Sequence, residues 1–346
     1  MKTGYGRTQM KIGITYDTIE DYADIDYSKF CDFATLGSIS FLKKQFEFAG
    51  YEVDLIGSSE KLKLRLKENT LNVDIIYNTA EGIHSRNREG IVPSLLEAHG
   101  IPYIGSDAYS LSLSLNKYHT KILAEFIGVP TPKAEIIYLN DSREEICRKV
   151  SNLSFPLIIK PNYEGSSMGL YLTETIDSCF NAIEKNQMDY KQEIICEEYI
   201  EGMEITVPII EKGHQIIALA VIQFNYNDGK DIALFTSDDK HYADIRCCDA
   251  NITETTRKKV VKYAKNLHKL LGCRDINRVD FRIDSDQNIF FLEMTPIPAL
   301  GPDGSFVYGA KACNMTFPGL LYEIVQNALD RANISTSVDY ISQNNR

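Results

Sequence analysis

The sequence predicts a chain of mixed α/β and α+β class: an N-terminal parallel sheet flanked by helices, then two units in which antiparallel strands and helices are mixed. Three observations predict this. The first hundred residues alternate short β-branched runs with helical patterns. The later residues place strands in pairs around polar turns. The length, 346 residues with 44% hydrophobic and 25% charged, is enough for two or three separate cores.

In order, KIGITY (11–16) is a strand, ISFLKKQFEFAG a helix, and YEVDLIG and VDIIYN further strands. A helix from about Val92 closes at Gly100, before the short strand IPYIG. This first unit is assigned to 1–114. A helix, NKYHTKILAEFIG, closing at Gly128 opens a central unit, 115–200. That unit continues with a helix at 143–153, FPLIIKP, a Gly/Ser loop, GLYLTE, a helix at 176–187 and EIICEEYI. A C-terminal unit, 201–333, holds the strands EITVPII, IIALAVI, INRVDFRID and NIFFLEM, the helix ETTRKKVVKYAKNLHKLLG and the helix FPGLLYEIVQNAL; a polar tail, 334–346, follows.

A formal charge of -11 argues against general affinity for nucleic acid or anionic membrane, so any phosphate must be met by local cations. The opening MKTGYGRTQMK has no apolar signal core, and no run approaches the roughly 18 apolar residues that span a bilayer, so a cytoplasmic location is expected. The eight cysteines lack zinc-finger spacing and read as reduced. In the adjacent pair Cys247 and Cys248, strand alternation sends the two thiols to opposite faces.

Neither of the two common nucleotide loops, GxxxxGK[ST] and GxGxxG, is present. The phosphate-binding candidate is KPNYEGSSMG (160–169), where a strand delivers Lys160 beside a Gly/Ser loop whose amides and hydroxyls can turn on an anion; by itself this is also an ordinary loop. The richest constellation is NRVDFRIDSDQNIFFLEMTP (277–296). Pairing Asp284 with Ile289 sets Asp280 opposite Glu293, and Arg278 shares the face of Asp280. Two opposed carboxylates suit a hard divalent cation, with the arginine free to neutralise a phosphoryl group, while a solvated Arg/Asp/Glu network is the plainer alternative. Glu197, Glu198 and Glu204 read by themselves as an acidic surface.

Taken together and in order, KPNYEGSSMG, CEEYIEGMEITV and RVDFRID with FFLEMTPIP resemble the D-alanine:D-alanine ligase branch of the ATP-grasp superfamily. The resemblance implies a three-domain ATP-grasp fold in which two domains clasp ATP. It implies that Lys117 and Lys160 contact phosphates, that Glu164, Ser166 and Ser167 close over the triphosphate, and that Glu197 with the Tyr199 and Ile200 backbone meets adenine. It further assigns Glu204 to the ribose, Lys240 to the terminal phosphate, Arg278 to the transferred phosphoryl group, and Asp280, Glu293 and Thr295 to magnesium. The implied chemistry is attack of a carboxylate on ATP to give an acyl phosphate, then displacement by an amine. Amino-acid substrates and a homodimer are implied as well.

The sequence departs from the family on the amino-acid side. Thr295 stands where an asparagine is usual, Glu81 where a histidine falls, and Ala299 in place of a glycine. The nearest counterpart of the ammonium-binding glutamate is Asp32. Glu81, Arg86, Arg88 and Glu89, with Asp303 and Ser305 in PALGPDGSF, are therefore the candidates for substrate recognition. True D-alanyl-D-alanine synthesis, another amino-acid ligase, and an ATP-binding protein without turnover are the readings this leaves open.

Overall fold

The computed structural model describes residues 9–22, 33–83, 85–226 and 245–334. The first sheet is parallel, in the order β2-β1-β3-β4. Its strands are β1 (Lys11–Tyr16), β2 (Glu52–Gly57), β3 (Ile75–Thr79) and β4 (Tyr103–Ile104). The connections are α1 (Leu36–Phe48), α2 (Ser59–Lys67) and, after a 3-10 turn at Arg88–Gly90, α3 (Ile91–Ala98). Both sheet faces are apolar, as parallel strands covered by crossovers require. Two helices follow, α4 (Ala108–Leu115) and α5 (Lys117–Phe126); the side chain of Asn116, between them, accepts from the N–H of His119 and so caps α5.

The second sheet, ordered β5-β8-β6-β7, comprises β5 (Ala134–Ile137), β6 (Leu157–Pro161), β7 (Tyr171–Thr173) and β8 (Ile194–Glu198). Helices α6 (Arg143–Val150) and α7 (Ile176–Tyr190) cover one face, packing on Leu157, Ile159, Ile194 and Cys196. Strand alternation puts Lys160 and Glu197 on the other face.

The third sheet is built on β9 (Met203–Lys212), with β10 (Gln215–Ala218), β11 (Ile222–Tyr226), β12 (Ile245–Asp249), β13 (Ile276–Ile283) and β14 (Ile289–Thr295). The run IIALAVI, expected as one strand, is broken into β10 and β11 opposite Pro208, which has no N–H to give to the ladder. Strand β12, assumed in the sequence only for the alternation of Cys247 and Cys248, pairs antiparallel with β11. Cys247 and Cys248 on it contact different partners, the carbonyls of Asp303 and Gln223. Helix α8 (Glu254–Leu270) buries one face of this sheet, and α9 (Ser305–Ala312) and α10 (Phe317–Arg331) complete the described chain.

Two helices pack across the boundaries expected from the sequence. Ala124 of α5, assigned to the central unit, joins the core of the third sheet with Ile205, Val279 and Phe281. Phe317, Leu320, Ile324 and Val325 of α10, assigned to the C-terminal unit, join Ile12, Ile14 and Tyr77 of the first sheet and Phe46 of α1. Sequence order cannot say which sheet an apolar stripe will meet.

Candidate active site

A cavity of about 510 Å³ opens between the polar faces of the second and third sheets and reaches the C-terminal end of β3 at Thr79. Position along a strand determines which residues enter it. In β9 the alternation that buries Ile205 and Val207 turns Glu204 and Thr206 toward the cavity. In β13, Val279 and Phe281 are core, so Arg278 and Asp280 face the cavity.

Glu293 arrives by a different device. Near the hairpin tip Ile283 pairs with Ile289, one residue out of step with the Asp284–Ile289 pairing expected from the sequence. Continued unbroken, that register would set Leu292 opposite Asp280 and turn Glu293 to the core. A register shift between Asp280 and Phe281 adds one residue to β14, restoring Asp280 opposite Glu293. Leu292 and Glu293 therefore both line the cavity while Phe291 and Met294 stay buried.

The carboxylates are held by cations in the same wall. Arg278 Nε donates to Asp280 Oδ1 at 2.9 Å and Arg278 Nη2 to Oδ2 at 2.7 Å, and the buried Thr206 hydroxyl donates to Oδ1 at 2.6 Å. Arg278 Nη2 also donates to Thr295 Oγ1 at 3.3 Å. Lys117 Nζ lies 3.3 Å from Glu293 Oε2 and donates to the Glu164 carbonyl. Asp280, Glu293 and Thr295 offer only oxygen donors, which suits magnesium, with phosphate oxygens or water filling the remaining positions. Among the described residues no cluster of three or more His, Cys, Asp or Glu could hold a metal unaided.

Opposite stands the Gly/Ser loop. Ser166 and Ser167 have φ of 48° and 59°, a left-handed pair inside a turn closed by the Met168 N–H on the Gly165 carbonyl, and both line the cavity with Glu164 and Lys160. Lys160 Nζ is 2.5 Å from Glu197 Oε1. Glu197 itself is buried, its second oxygen 2.8 Å from Lys121 Nζ. Burial alone would push its carboxyl up, but the two lysines outweigh burial and hold it below the usual carboxylate range.

Of the residues singled out in the sequence, Glu81, Lys117, Lys160, Glu164, Ser166, Ser167, Glu204, Arg278, Asp280, Glu293 and Thr295 converge on this cavity. Others do not. Glu197 does not line it, and its carboxylate is enclosed by lysines rather than open to a base. The Tyr199 N–H is already committed to the Pro156 carbonyl and its ring to Arg282, and neither Tyr199 nor Ile200 lines the cavity. Arg86 is exposed, and Arg88 is turned onto Glu164 at 3.4 Å. Asp303 is exposed and Ser305 buried at the start of α9, both outside the cavity. Loops carry no period from which direction could be read. Lys240 and Asp32 lie outside the described residues.

Thr206 and Lys121 were missed. Thr206 was readable, since alternation in EITV puts it on the face of Glu204. Glu89, buried and lining the cavity with Glu81, joins Phe33, Ile39 and Leu42 at the end formed by the first sheet and α1.

The family model described as D-ala D-ala ligase C-terminus matches residues 123–326. The D-alanine–D-alanine ligase of Albidiferax ferrireducens is 30% identical over 250 residues, 71% of this chain and 70% of that protein. An uncharacterized protein, y4sG, of Sinorhizobium fredii is 28% identical over 257 residues, 73% and 74% of the two chains. Among solved structures, the VanG D-Ala:D-Ser ligase of Enterococcus faecalis superposes with a TM-score of 0.74 at 20% identity, covering 93% of this chain and all of its own. The D-alanine–D-alanine ligase of Bacillus anthracis complexed with ATP gives 0.74 at 21% identity, covering 94% and 99%. The ATP-grasp fold implied by the sequence is the fold of these structures.

Proposed function

Because this chain belongs to the D-alanine–D-alanine ligase family, we propose that it is an ATP-dependent, ADP-forming ligase that joins the carboxylate of one amino acid to the amine of a second. The observation that carries the reading is the convergence of Lys117, Lys160, Arg278, Asp280 and Glu293 with the Ser166–Ser167 turn on one cavity. Such a wall positions a triphosphate and stabilises charge, so the chemistry needs no nucleophilic side chain.

The amides at Ser166 and Ser167 and the ammonium groups of Lys117 and Lys160 bind the phosphates, and Glu204 faces the ribose hydroxyls. Magnesium, held by Asp280 and Glu293 with Thr295, would draw off phosphate charge. The substrate carboxylate forms a bond to the terminal phosphorus as the bond to ADP breaks. The amine then bonds to the acyl carbon, phosphate leaves and the amine gives up a proton. Arg278 is placed to face the charge that develops in both steps. Lys240 is assigned to the terminal phosphate. Glu81 and Glu89, at the far end of the cavity, suit an α-ammonium group. The cytoplasm as location and a homodimer as assembly belong to the same proposal, the second checked by light scattering.

The test is phosphate release from ATP and magnesium with single and paired D- and L-amino acids, products read by mass. Release that needs a pair and yields a condensed dipeptide supports the ligase and names its substrates. ATP binding with no release for any pair replaces it with a nucleotide-binding protein.

A further inference from the structure

Lys117 and Lys121 stand one turn apart on α5, on a buried stripe they share with Thr120 and Ala124. Lys117 reaches the cavity. Lys121 does not line it, and its side chain is 3% exposed. Its Nζ lies 2.8 Å from Glu197 Oε2, and among the described residues neither atom has a hydrogen-bond partner beyond this ion pair. The other oxygen of Glu197 takes Lys160 at 2.5 Å, and Lys160 does line the cavity. Burial pulls the Lys121 ammonium below its ordinary value, more than Glu197 restores, so keeping a charge there costs stability.

The charges explain what that cost secures. Lys160 and Glu197 alone would cancel. With Lys121 protonated the trio carries a net positive charge, and its one member in the cavity wall is Lys160. We infer that Lys121 is a positioning residue for the phosphate grip: it occupies one oxygen of Glu197 and so leaves Lys160 a charge to offer ATP. The inference rests on the proposal that this cavity binds ATP. Lys121 touches no substrate. Its effect passes through Glu197 and falls on the affinity for the polyphosphate.

The test is calorimetric titration of the full chain with magnesium and a non-hydrolysable ATP analogue, with thermal melts to establish folding. Four proteins are compared: wild type, Lys121→Met, Lys121→Arg and the double variant Lys121→Met with Glu197→Gln. The single Met variant neutralises the trio and is expected to bind about tenfold more weakly, a change of about 1.4 kcal/mol. The double variant restores the net charge with Lys160 alone and is expected within about threefold of wild type, a difference of about 0.7 kcal/mol. The Arg variant keeps the charge and is expected to stay near wild type. In turnover, the KM for ATP should rise in Lys121→Met with a smaller change in kcat. Unchanged binding by folded Lys121→Met overturns the inference, as does a folded double variant no better than the single. If Lys121→Met does not fold, weak binding by the folded double variant overturns it. A wild type that binds no analogue removes the ATP reading itself, and the inference with it.

Discussion

Asp280 is the residue on which the site depends most heavily. Four donor contacts from Arg278 and Thr206 fix its two oxygens, and Glu293 faces it across the hairpin. Asp280→Asn keeps the size and part of the hydrogen bonding but removes one of the paired negative charges. Phosphate release is expected to fall by about a hundredfold or more, the scale of losing one electrostatic element of a preorganised site. The magnesium concentration for half-maximal rate should rise, and a magnesium titration of the variant reads both effects. Glu197 makes a prediction about pH. Its folded value lies below its ordinary 4.5, so the unfolded chain takes up the proton first. The stability this group contributes is therefore full above pH 4.5 and is lost as pH falls through the folded value. Urea midpoints of wild type should drop more steeply below pH 4.5 than those of Lys121→Met with Glu197→Gln, which has no acid there to titrate.

At the scale of elements, the connection from β8 to β9 depends on Gly202. Its φ is +146°, and an added Cβ would stand 2.1 Å from the Ile283 carbonyl oxygen on the neighbouring hairpin. Both the conformation and the space exclude a side chain, so Gly202→Ala should cost about 3 kcal/mol or more, measured as a lower denaturant midpoint. The same hairpin shows how far the sequence could be read. Alternation made Arg278 and Asp280 legible, and opposing polar turns made the hairpin legible. The Asp280–Glu293 pairing was reached through a turn register that the structure does not have, and the bulge at Leu292 makes up the difference. Helix α5 was legible as a helix, yet its orientation was not. Its aliphatic and aromatic residues Ile122 and Phe126 are exposed, while Lys117 and Lys121 are inside. Those lysines can be buried because Glu293 and Glu197 meet them, and partners on distant strands leave no mark near Lys117 in the sequence.

For the whole molecule, Asp275 ties the first sheet, the third sheet and α10 together. It is fully buried, and its oxygens accept from both Nη atoms of Arg331, from Asn327 Nδ2 at 2.8 Å and from the Gly105 N–H at 2.7 Å. Arg331 Nη2 reaches on to the Tyr103 carbonyl of β4. Asp275→Ala would strand these donors. Because Arg331 keeps part of its surface in water, the expected loss is about 3 kcal/mol, read by equilibrium unfolding. The docking of α10 has a further consequence, for synthesis. The strands of the first sheet are complete at Ile104, but the largest share of the later side chains that close its core belongs to α10, which begins at Phe317. A ribosome must add the whole stretch between before that core is complete, so the nascent chain carries a partly open apolar face for most of its translation. A stalled chain ending at Gly304 should remain sensitive to protease within residues 11–104, and one extended past Arg331 and clear of the exit tunnel should become resistant there.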